Sequence, residues 1–218
     1  MNAYAPSVDA GSYKLPSRKG LLGLYLSIFG LLFLVAIAAR YGHIPVSDMT
    51  RDMAAIAKVH PLTGVVSNVG ILLWCAAAAI CLFSASLLRQ QGAHREAGFL
   101  VWAGLMTTGL MLDDLFMFHE YIAPVHFHLN EKLVHASYFV VTLVYLLRHR
   151  RLILESNYRL LAAALVLFAA SMMVDVADGQ GWWRLVEDGC KLLGISSWLA
   201  YHGGMARQWM VQVPAISR

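Results

Sequence analysis

One ten-residue stretch, Met111-Leu112-Asp113-Asp114-Leu115-Phe116-Met117-Phe118-His119-Glu120, sets three carboxylates and an imidazole in apolar surroundings. Carboxylate and imidazole ligands together suit Zn, Mn or Fe. A carboxylate left free of such an ion can act as a general base towards a bound water. Helical periodicity puts Asp113 and Glu120 on one face, Asp114 on another, and His119 on neither stripe. A site using all four therefore requires side chains that reach round the helix, or a break in it.

Three further segments carry groups of the same kind. Ser171, Asp175 and Asp178 are spaced by four and three, one polar stripe at a helix end. His128, Glu131, His135, Tyr138, Thr142, Tyr145 and His149 alternate steps of three and four along an otherwise apolar run. Such a stripe faces other helices rather than lipid, and interhelical hydrogen bonding accounts for Tyr138, Thr142 and Tyr145. Arg184, Glu187, Asp188 and Lys191 are spaced so that Glu187 with Lys191, and Arg184 with Asp188, would pair along one helix. Lys191 nevertheless falls two turns into its apolar run, too deep to be only an interface residue unless it snorkels, and its position next to the outer-side carboxylates makes it a candidate counter-ion.

Asp113, Asp114, Glu120, Asp175, Asp178, Glu187 and Asp188, collected at one end of a bundle, would repel unless protonated, paired with Lys191 and Arg184, or bound to a cation. The resulting expectation is a divalent metal ion, Zn, Mn or Fe, held by Asp113, His119, His135 and Asp175. Glu120 or Asp114 would serve as base, and Asp178, Glu187, Asp188 and Lys191 complete the polar cluster. A metal-free charge network is the competing reading.

The elements that must position these groups follow from composition. Of the 218 residues 59% are apolar and only 14% charged, against about a quarter charged in an ordinary soluble domain. That excludes disorder and argues against a water-soluble globule. Cys75, Cys81 and Cys190 lie in apolar segments without CxxC or CxxH spacing, so neither a disulfide framework nor a zinc knuckle is expected. Six runs approach the roughly 20 residues of helix that cross a bilayer: 21–39, 62–88, 97 to about 121, 133–147, 160 to about 176 and 182 to about 201. No alternating β-barrel pattern is present, so the expected fold is all-α, a polytopic membrane bundle of six transmembrane helices.

With both termini in the cytoplasm, that side receives Lys14, Arg18, Lys19, Arg89, Arg95, Arg148, Arg150, Arg151, Arg159, Arg207 and Arg218, eleven of the seventeen bases. Ten of the thirteen acids fall on the other side. The net charge of +4 is thus a signal of orientation, and no nucleic-acid partner is expected. Residues 1–17 read as a mobile cytoplasmic tail, 18–206 as the transmembrane domain and 207–218 as a second tail. The first apolar run follows Lys14, Arg18 and Lys19 and ends near Ala36-Ile37-Ala38, like a signal peptide, but it is longer than a signal core and reads as a retained anchor. Ser47 is an expected N-cap for a surface helix over Asp48 to Val59.

These features point to a membrane-embedded metal-dependent hydrolase at the outer face of the bilayer, with a lipid as its substrate. Asp175-Val176-Ala177-Asp178-Gly179 resembles the start of a CDP-alcohol phosphotransferase signature, but the Ala-Arg and second Asp pair do not follow, so no residue is carried over. Other classes stay open: a proton-coupled transporter or relay using intramembrane carboxylates, a protein ligating haem b through His119 and His135, a copper protein, or a small subunit or assembly factor of a membrane complex.

Overall fold

The computed structural model describes residues 18–177 and 181–212, and among them there is no strand. The chain divides into two compact units, 1–63 and 64–218. The first contains α1 (Arg18–Gly42), 25 residues of helix with no buried side chain. Two short helices follow, α2 (Val46–Thr50) and α3 (Met53–Ala57), where the sequence suggests one continuous surface helix. The interruption is at Arg51 and Asp52, both extended. Asp52 takes the N-cap position that its type favours, and Ser47 lies inside α2 with its hydroxyl donating to Asp48 Oδ1 at 3.0 Å.

The second unit comprises α4 (Val65–Gln90), α5 (His94–Phe116), a π turn (Phe118–Ile122), α6 (Ala123–Phe127), α7 (Glu131–Arg148), α8 (Arg150–Glu155), α9 (Arg159–Val176) and α10 (Trp182–Gln212). α10 runs eleven residues past the expected end at Tyr201, through Arg207, which the sequence assigns to a tail. α4 packs against α5 and α10, and α10 against α9. Small residues permit the close approach of α4 and α5: Ala77, Ala78, Ala85, Ala97 and Ala103 are buried. A Cβ on Gly104 would stand 2.7 Å from Leu82, and one on Gly194 2.7 Å from Phe168, so both glycines are where backbone meets side chain.

The core between these helices is aromatic and partly polar. Trp74, Phe99 and Trp198 are buried, and the Trp198 indole donates to the Thr107 hydroxyl at 2.9 Å. His202 lies 2.9 Å from the Trp198 carbonyl through Nδ1 and 2.8 Å from the Tyr145 hydroxyl through Nε2. A carbonyl only accepts, so Nδ1 carries the proton and Nε2 accepts from Tyr145.

α1, α4 and α5 are long and apolar enough to cross a membrane. Their outward side chains include Phe29, Leu72, Phe83 and Leu105, each more than half exposed. Apolar surface on that scale marks a membrane or partner surface, and the three helices are consistent with a membrane location.

Candidate functional site

Helix α5 does not continue to Tyr121 as its hydropathy suggests. It ends at Phe116, and Met117 takes the left-handed conformation with φ 51°. The cause lies one turn back. Asp113, buried in the last turn of α5, accepts the backbone N–H of His119 through Oδ1 at 2.9 Å, an amide that a continuing helix would commit elsewhere. Its other oxygen, Oδ2, meets His119 Nδ1 at 2.6 Å. One carboxylate thus holds the turn and the imidazole together, and the chain widens into the π turn before Pro124 opens α6.

α7 supplies the opposite wall. The Asn130 side chain accepts the backbone N–H of Lys132 at 2.9 Å and caps the helix, so that Glu131 stands in its first turn with His135 one turn on. His128 closes α6 in the left-handed conformation, φ 53°, and so falls outside the α7 stripe that the sequence suggests. The rings of His119 and His135 have centroids 4.9 Å apart. One ligand atom from each of His119, Glu131 and His135 lies within 4.8 Å of the others. Glu120 Oε1 is 3.5 Å from His119 Nε2 and more than half exposed.

These positions fit a metal ion chemically. A carboxylate on Nδ1 is the outer-shell arrangement common to metal-bound histidines, and it would leave Nε2, which faces Glu120 Oε1 at 3.5 Å, as the ligand atom once that nitrogen gives up its proton. Two imidazoles and one carboxylate make a three-ligand set of the kind catalytic zinc sites use, with room for a fourth, exchangeable ligand. Of the four expected ligands, His119 and His135 come together here. Asp113 stands behind His119, and Asp175 is elsewhere, 3.7 Å from Arg184 Nη1. Glu131 joins the cluster instead; the signal for it is its place four residues before His135 at a helix start.

The remaining acids separate into other groups. Asp114 Oδ1 accepts from Lys191 Nζ at 2.7 Å, and Oδ2 from the Trp74 indole at 3.0 Å, so it is a tie between α5, α10 and α4. Lys191 is therefore the counter-ion of Asp114 and not of Glu187. Arg184 pairs with Glu187 at 3.3 Å rather than with Asp188. Asp178 lies outside the described residues.

An all-helical chain with membrane-length apolar helices and a His/Glu cluster at a helix break is the class these features define. The chain belongs to the family described as "Domain of unknown function (DUF8692)", whose model matches residues 25–203 and so takes in the whole cluster. No curated protein and no solved structure matches it.

Proposed function

We propose that this protein is a membrane-embedded, metal-dependent hydrolase whose Zn, Mn or Fe ion is held by His119, Glu131 and His135. The observation that carries the reading is the convergence of those three donors within 4.8 Å, with Asp113 fixing His119 from behind. A bound ion of this kind lowers the pKa of a coordinated water and polarises a carbonyl or phosphoryl oxygen. Glu120, beside His119 Nε2 and reachable from solvent, is the carboxylate placed to take a proton from that water. Asp114 is a poor choice of base because Lys191 and Trp74 occupy both its oxygens.

The architecture we favour is six membrane-crossing helices, α7, α9 and α10 joining α1, α4 and α5, with both termini in the cytoplasm. Phe139 and Leu147 of α7, Val166 of α9 and Leu193 of α10 are each at least 60% exposed, which suits lipid better than water. The bias of Lys and Arg towards the opposite side supports a cluster at the outer face of the cell membrane, where a bilayer lipid could reach it.

Metal analysis of protein purified in detergent without chelator tests the reading. Wild type should hold about one ion per chain and His135→Ala little; Asp113→Asn, which leaves the donors in place, should weaken binding by roughly 10- to 100-fold. Wild type without stoichiometric metal would sink the hydrolase. Proton-coupled transport is the second reading, favoured by the Lys191 and Asp114 pair between α10 and α5; pH-driven flux in proteoliposomes, lost in Asp114→Asn, would establish it. Imidazoles with centroids 4.9 Å apart leave no gap for a macrocycle between them, which weighs against haem.

A further inference from the structure

The connection between the two halves of the His119 cluster is apolar on its outside. His119 lies on the π turn, Glu131 and His135 lie on α7, and α6 with its flanks joins them. From Tyr121 to Asn130 the chain reads Tyr-Ile-Ala-Pro-Val-His-Phe-His-Leu-Asn, without one Asp, Glu, Lys or Arg. Only Ala123 of α6 is buried, and the large side chains turn outward: Phe127 is 61% exposed, Tyr121 55%, Val125 49% and Leu129 45%. A helix lying between a core and water does the opposite.

Apolar surface of this kind marks a membrane or a protein partner, and three observations favour the membrane. The first is continuity. The rings of Phe118 and Phe127 stand 6.4 Å apart, and the patch runs on into Phe116, 58% exposed at the end of α5, a helix long and apolar enough to cross a bilayer. The second is composition, because aromatic side chains at the end of such a helix suit the boundary between lipid and water. The third is the backbone. Pro124 has no N–H, the amides of His128 and Leu129 both donate to the Ala123 carbonyl, and those of Tyr121 and Ile122 donate to the Met117 carbonyl. Amides paired in this way lose little on leaving water.

We infer that the π turn and α6 dip into the bilayer between headgroups and acyl chains, and that lipids of that bilayer are what reaches His119, Glu131 and His135, presented at the level of their ester and phosphoester bonds. An apolar helix face at this boundary sits about 5–10 Å deep, while Glu120 and Asn130 at the two ends remain with the headgroups. The part about lipid access rests on the hydrolase reading above. Insertion does not, since it follows from the surface of the segment alone.

Spin labelling of the full chain in phosphatidylcholine vesicles tests the insertion. In metal-stripped protein freed of Cys75, Cys81 and Cys190, nitroxides at Val125→Cys and Phe127→Cys should be relaxed more by oxygen than by water-soluble chromium oxalate, and the order should reverse at Asn130→Cys. Phe127→Asp, a change at an exposed side chain, should move the label at Val125→Cys towards the chromium complex. A label at position 127 relaxed mainly by the chromium complex puts α6 in water, and one that neither reagent reaches puts it against a second copy or another protein; either overturns the inference. Lipid access is tested with metal-loaded protein on vesicles of phosphatidylcholine, phosphatidylethanolamine and phosphatidylglycerol, beside short-chain forms of the same lipids kept below micelle formation. The vesicle lipids should be cleaved faster, and Phe127→Asp should remove that advantage. Soluble forms cleaved equally fast or faster overturn access from the bilayer. Cleavage of neither, with the oxygen pattern intact, removes the hydrolase and keeps the insertion.

Discussion

Lys191 and Asp114 stand 77 residues apart in the chain and 2.7 Å apart in space, a contact that fastens α10 to α5 while the Trp74 indole brings in α4 through the other carboxylate oxygen. Asp114 is largely buried and Lys191 about 40% exposed, so the pair is only partly screened by solvent. Lys191→Met should leave Asp114 short of a partner and lower stability by roughly 1–3 kcal/mol. Asp114→Asn combined with Lys191→Met should recover part of that loss, because no uncompensated charge remains. Denaturant titration of the single and double variants in detergent checks it; strictly additive losses would mean that the contact carries no coupling.

The two glycines at close approaches should behave unlike a third that has space. Gly194→Ala drives a methyl into Phe168, which itself stacks on Trp74 with centroids 5.6 Å apart, and should cost roughly 1–3 kcal/mol. Phe168→Leu in the same chain should restore part of it. Gly109→Ala meets nothing within 4 Å and should be neutral or stabilising by up to about 1 kcal/mol. Thermal unfolding midpoints compare the three.

His149 follows the last residue of α7, outside the long helices. Burial, with Arg148 as a lesser contribution, holds its imidazole below the usual 6.5. The folded state therefore takes up this proton less readily than the unfolded chain. Its contribution is complete above the unfolded value of about 6.5 and is lost as pH falls through the lower folded value. His149→Phe should remove that part of the acid sensitivity, giving a flatter profile of Tm against pH between about 7 and 5. A slope equal to wild type would show that other groups set it.

The orientation is open to chemical labelling. In a chain freed of Cys75, Cys81 and Cys190, single cysteines at Asp9 and Arg151 should react with an impermeant maleimide only after the cytoplasmic side is exposed. A cysteine at Glu131 should react from the other side. Opposite behaviour of the Asp9 and Arg151 positions would overturn the six-helix topology.

Four of the six apolar runs, 21–39, 133–147, 160 to about 176 and 182 to about 201, fall within a helix, because hydropathy and an internally paired backbone already require one; the run 62–88 starts three residues before α4, and the run from 97 overshoots the end of α5 at Phe116. Periodicity was a poorer guide to the site. Nothing in Leu115-Phe116-Met117-Phe118 disfavours helix; the break at Met117 depends on Asp113 capturing the His119 amide, a contact that spacing does not encode. For the same reason Asp113 reads as a ligand in the sequence and stands behind His119 in space. Glu131 reads as one more member of the α7 stripe until the π turn carries His119 across to it. The four-residue spacing of Glu187 and Lys191 is a sound local rule, yet Lys191 turns to the buried carboxylate of Asp114, which had no local partner and most to gain.

Helix α7 carries two of the three converging donors, yet only Val134 and Tyr145 along it are buried. A helix with so few side chains in the core is weakly committed to its place. If Glu131 and His135 close on an ion together with His119, that ion becomes the fastening of α7. Loading would then be the last step of assembly, and withdrawing the ion would release one helix while the packed set of α4, α5, α9 and α10 stayed intact.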